Sequence, residues 1–167
     1  KGMSILVQAQ PATAPRSRTA VQIAVLYAGF LTVMSVAQLF TFEEFIELFF
    51  SFDVALPQLV EALFIPLLIV FQVIALPFLL RMNISPAFRW LSMGAGWIVP
   101  LGWLFIALST ANAYPLHETV GLLGTAVSLA PGWWAVAVSA LFALMAAWAS
   151  WGLWPSKILK TSEIKEA

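Results

Sequence analysis

Positions 57–90 read PQLVEALFIPLLIVFQVIALPFLLRMNISPAFRW: a proline start, one carboxylate at Glu61, an apolar run to Leu80, a short loop carrying Arg81 and Arg89, and the start of another apolar run. About 20 mainly apolar residues in a row are what a helix needs to cross roughly 30 Å of hydrocarbon. A helix covering a water-facing core would alternate polar and apolar faces, and this run does not. The stretch therefore predicts a spanning helix over 57–80, a tight basic turn, and a second span over 87–110. Working outward, 20–40 and 131–154 have the same character. The fold expected is all-α: an integral membrane four-helix bundle, with an amphipathic helix on its outer face after the first span.

Composition points the same way. Of 167 residues, 62% are hydrophobic and 10% charged, whereas an ordinary soluble domain is about half apolar and about a quarter charged. No cysteine is present, which excludes disulfides, thiolate metal sites and thiol redox chemistry. The formal net charge is zero, so the balance gives no reason to expect nucleic acid as a partner. Lys1 and Gly2 precede Met3 and are set aside, and no cleaved targeting sequence is read in the polar lead-in around Pro11, Pro15, Arg16 and Arg18.

The basic residues give an orientation. Lys1, Arg16 and Arg18 precede the first span, Arg81 and Arg89 lie between the second and third, and Lys157, Lys160 and Lys165 follow the fourth. The other two loops hold none. The positive-inside rule then puts both termini and the middle loop in the cytoplasm, in a multi-pass cell-membrane protein. The expected division is a cytoplasmic segment over 1–19, the four-helix domain over 20–154 and a cytoplasmic tail over 155–167. Trp90, Trp133, Trp134, Trp148, Trp151 and Trp154 fall at expected interface levels, with Trp97 and Trp103 deeper.

Two further segments touch the membrane without crossing it. Thr41-Phe42-Glu43-Glu44 has the form of a capping box, in which threonine hydroxyl and glutamate satisfy free amides at a helix start. Over 41–52, Phe42, Phe45, Phe49 and Phe52 recur at helical spacing, opposite Glu43, Glu44, Glu47 and Ser51. That pattern predicts an interfacial helix on the outer leaflet. The apolar, glycine-containing segment 120–130 reads as a re-entrant or interfacial piece.

Close helix contact in lipid is marked by small residues. Ala135, Ser139, Ala143 and Ala147 are spaced by four in the last span, and Ser92 with Gly96 repeats the pattern in the third; these are the expected packing seams. Ionisable groups inside a membrane are costly, so Glu61 is a candidate for function. Its more ordinary role is a carboxylate stabilised at a helix N-terminus; the alternative is a proton or quinone-headgroup contact. Gln72, flanked by Pro66 and Pro77, is expected to bond between helices, with Gln22, Thr32, Ser35 and Gln38 as possible partners. His117, the single histidine, adjoins Glu118 in an outer loop. A small ligand site would be built from Glu61, Gln72 and His117, taking a quinone or a lipid. No catalytic constellation and no metal motif is found, and no cofactor is expected beyond such a ligand.

The stretch 71–82 followed by 85–90, FQVIALPFLLRM and SPAFRW, together with the order of elements, resembles the DoxX and MauE group of small four-helix membrane proteins. The resemblance covers about 20–108, and where the family often carries a glutamate this chain has Gln72. It implies a prokaryotic inner membrane and a non-catalytic accessory or structural subunit beside a redox or respiratory partner. Membrane lipids and other membrane subunits, or further copies of the chain, are then the expected partners. The alternative is a small membrane protein binding a quinone or lipid at Glu61 and Gln72.

Overall fold

The computed structural model describes residues 9–51, 58–111 and 119–154, excepting the side chains of 58–62. Among them the chain forms helices α1 (Arg18–Phe40), α2 (Phe42–Phe50), α3 (Gln58–Leu79), α4 (Pro86–Thr110) and α5 (Trp133–Leu153), with one short extended piece, β1 (Leu122–Thr125). Three of these, α1, α4 and α5, are long and apolar enough to cross a membrane; in α3 the apolar stretch described is Leu63–Leu79.

The ends of the helices follow from local chemistry. Ser17 caps α1 by accepting from the Ala20 N–H at 3.1 Å, and Ser85, followed by Pro86 in the first turn, caps α4 by accepting from Phe88 N–H. α3 stops in a Schellman motif: Met82 N–H reaches the Pro77 carbonyl and Arg81 N–H reaches that of Phe78. Arg81 takes the left-handed conformation this motif demands, with φ 56, where glycine is the usual occupant.

The long helices form a closed ring in which α1 packs on α3 and α5, and α4 packs on the same two from the far side. Small side chains set the closest approaches. A methyl on Gly96 would lie 3.8 Å from the Ala75 Cβ, and one on Gly152 would run into Ala20. Ser92 inserts its hydroxyl into α3, accepting from Phe78 N–H at 3.0 Å and donating to the Ile74 carbonyl, so it stands in for the helix's own bond just where Pro77 disturbs the ladder. Tyr27 ties α1 to α4 through its hydroxyl on the Gly96 carbonyl at 2.9 Å.

The α5 seam departs from the four-residue spacing. Ala135 and Ser139 are buried, but the buried face continues through Phe142, Ala146 and Ala149 to Gly152 and Leu153, leaving Ala143 and Ala147 half-exposed. A row of every fourth residue drifts about 40° per step around a helix with 3.6 residues per turn. By its third and fourth members it has left the contact face.

The expected capping box is replaced by other bonds. Thr41 precedes α2 but makes no side-chain cap. Its hydroxyl donates back to the Ala37 carbonyl and accepts from Thr125 N–H, while the Glu44 carboxylate accepts from the Thr125 hydroxyl at 2.7 Å. Both groups are recruited by β1. Two of the phenylalanines of α2 turn into the bundle: Phe45 stacks on Trp103 and Phe49 on Phe64, and both are buried, while Phe50 stays exposed. The apolar face is covered by the bundle, while Glu43, Glu44 and Glu47 face outward.

Candidate functional site

The polar chain through the core starts at Gln72 in α3. Its side chain is fully buried, and its Nε2 donates to the Gln38 Oε1 of α1 at 2.9 Å; Gln38 Nε2 in turn donates to the Leu122 carbonyl of β1 at 2.9 Å. The direction is dictated at its end, because a carbonyl can only accept. Gln38 must therefore turn its N–H2 to Leu122 and its oxygen to Gln72. That leaves Gln72 Oε1 as a buried acceptor with no partner among the described residues. Of the candidates Gln22, Thr32, Ser35 and Gln38, the structure selects Gln38; Thr32 and Ser35 bond within their own helix, to Ala28 and Thr32 carbonyls.

Two more core polar atoms, Trp103 Nε1 on α4 and Ser139 Oγ on α5, have no partner among the described residues. Gly96 lies beside Ala75 and Gly102 beside Leu68, so Gln72 faces the stretch of α4 that ends at Trp103. A buried acceptor and a buried donor thus stand on facing helices, each costly to leave unpaired.

The segment 119–130 closes this end of the polar chain and bonds part of its backbone to itself. Thr119 Oγ1 accepts from Gly121 and Leu129 N–H groups, and Val120 N–H donates to the Leu129 carbonyl at 2.8 Å. Gly121 and Gly124 have φ of 80 and 62, which lets the backbone turn back against Phe45 and Thr41.

Ser92 and Gly96 sit lower on the α3–α4 contact and do not join this chain. The side chain of Glu61, and His117, lie outside the described residues, so the three expected ligand contacts are represented here by Gln72 alone. Among the described residues no group of three or more histidines and carboxylates could hold a metal ion. Sequence patterns did not reveal the Leu122 carbonyl as an acceptor, because a backbone atom carries no sequence signal; Trp103 was legible only as a deep tryptophan.

The amide chain is testable by substitution. Gln38→Leu strands the Gln72 Nε2 donor and the Leu122 carbonyl, and should cost about 2 kcal/mol of stability. Gln38→Leu with Gln72→Leu should cost clearly less than the two single changes added together, since both side-chain partners go at once. Thermal unfolding of the detergent-solubilised protein measures both; strict additivity would mean the two amides do not depend on each other. Comparison with known proteins gives no match for this chain among family models, curated proteins or solved structures.

Proposed function

We propose that the chain spans the membrane four times with both termini cytoplasmic, and serves as a non-catalytic accessory or structural subunit of a larger membrane assembly. The observation that carries the subunit role is the outer face of α5. Leu144, Trp148 and Trp151 stand exposed around Ala147 and form a shallow apolar groove, and half-exposed Ala143 lies one turn away. Small residues between large ones let a second helix approach closely, which in lipid is what drives association. The arginines at one end of the bundle and Glu43, Glu44 and Glu47 at the other support the orientation. The resemblance to DoxX and MauE proteins supplies the expected setting, a prokaryotic inner membrane beside a redox partner.

A second reading, a protein that binds a quinone or lipid headgroup, is favoured by one observation: the unpaired Gln72 oxygen and Trp103 N–H in the core. A carbonyl-bearing ligand could accept from the indole, and a hydroxyl could donate to the amide.

Mass analysis of the protein extracted in native lipid nanodiscs separates the two. A stoichiometric protein partner or a homo-oligomer is expected. A monomer retaining a quinone, lost on Gln72→Ala, would replace the subunit reading with the second, and a bare monomer would remove both.

A further inference from the structure

Where α1 and α4 begin and α3 and α5 end, residues 10–17 cross the bundle as a strap. Gln10 N–H donates to the Ile84 carbonyl at 3.2 Å and Arg16 N–H to that of Gly152 at 2.9 Å. Arg81 Nη2 donates to the Thr13 carbonyl at 3.2 Å, and Arg89 Nη2 to those of Gln10 and Pro11 at 3.1 and 3.3 Å. Arg16 also lies 5.5 Å from the Trp151 ring centre, and Arg18 opens α1 on the same end. Among the described residues none of these four arginines meets a carboxylate.

Arg81 is the informative member. Its guanidinium Nε is buried without a partner among the described residues, and its backbone sits at φ 56, a conformation that is strained for a non-glycine residue. Glycine would end the helix without that strain. Strain of this kind persists where a side chain is needed, and what arginine brings is a charged fork. Between Thr13, Phe78, Arg81 and Arg89 lies a cleft of about 10 Å³, room for about one water-sized group, such as a single phosphate oxygen. Carbonyls supply only partial charge, so among the described residues two half-buried guanidiniums here lack a full counter-anion.

We propose that this end of the bundle holds an anionic phospholipid by its phosphate, with Arg81 and Arg89 as the fork and Arg16 and Arg18 as flanking charges. Guanidinium geometry matches a phosphate with paired N–H bonds, and each basic side chain near an anionic leaflet adds to the attraction. The acyl chains explain why a lipid rather than free phosphate is the occupant: Trp90 and Trp154, 4.1 Å apart between ring centres, stand at this same end, where tryptophans mark a membrane interface. The inference rests on the membrane-spanning, cytoplasm-facing reading of this end.

The test uses the full chain in nanodiscs of mixed phosphatidylglycerol and phosphatidylcholine, with retained lipids counted by native mass spectrometry. The wild type should retain the anionic lipid at least about tenfold over its share of the disc, and R81Q/R89Q should abolish that preference, since two basic contacts near an anionic leaflet amount to about a thirtyfold change. R81K/R89K, which keeps both charges on a less disruptive frame, should keep an intermediate preference because the fork is lost. Equal retention of both lipids by the wild type, or a preference unchanged in both variants, overturns the proposal. Displacement of the lipid by millimolar inorganic phosphate overturns it in favour of a free-phosphate site. A chain that fails to enter nanodiscs defeats the membrane reading, whereas entry without lipid preference defeats this inference alone.

Discussion

Gly124→Val should lower the unfolding free energy by about 3 kcal/mol or more, combining left-handed strain with forced overpacking. The backbone at Gly124 has φ 62, and a Cβ there would fall on the Thr41 hydroxyl and come within 3.2 Å of the Ala37 carbonyl oxygen and the Gln38 Cα. Two of those neighbours are backbone and cannot rotate aside. The turn would have to leave α1, taking with it the Leu122 carbonyl and the Thr41–Thr125–Glu44 bonds. Gly29→Ala is the control, since nothing lies within 4 Å of a methyl built there; it should leave the midpoint unchanged or raise it slightly. Tryptophan fluorescence during heating in one detergent reads both. A stable Gly124→Val would show that 119–125 is not docked as described.

The second large effect is at the opposite end. A methyl on Gly152 would overlap the Ala20 methyl and lie 3.5 Å from its Cα, so Gly152→Ala must push α1 and α5 apart or shift them. Overpacking of this kind costs about 1–3 kcal/mol. Ala20→Gly in the same chain restores the space and should recover most of the loss, leaving the small helix penalty of an added glycine. The double-mutant cycle should therefore show a coupling well above 0.5 kcal/mol. A Gly152→Ala loss that Ala20→Gly does not relieve would place the clash elsewhere.

The helices were legible because uninterrupted apolar runs, proline and serine starts and clustered arginines are local signals. Gln58–Leu79 and Pro86–Thr110 are helical where apolar runs over 57–80 and 87–110 are read, residue 57 lying outside the described residues. What failed to be legible depends on tertiary partners. Thr41 and Glu44 have the capping-box pattern, yet a segment more than eighty positions along the chain competes for both side chains, and Thr125 takes them. The phenylalanine face of α2 has the periodicity of an interfacial helix; periodicity says that a face is to be covered and does not say by what. Gln72 could be singled out as a bonding residue, but choosing Gln38 among its possible partners required the register of α1 against α3. The seam Ala135, Ser139, Ala143 and Ala147 has a spacing of four, whereas a straight helix keeps one face at 3.6.

The strap has a consequence for how the chain comes to be assembled. Its bonds to Gly152 and Leu153 join residues separated by about 140 positions, as the Thr13 hydroxyl on the Leu153 carbonyl shows. During synthesis from the N-terminus, α1 and the strap exist long before α5, and contacts of such separation form late. Until the last helix arrives, α1 has one of its two neighbours missing, and the buried Ala20, Ala24 and Tyr27 face is only partly covered. Although made before α5, α1 is thus locked only after it, and a chain truncated before Trp133 would leave that face open to the quality-control machinery of the cell.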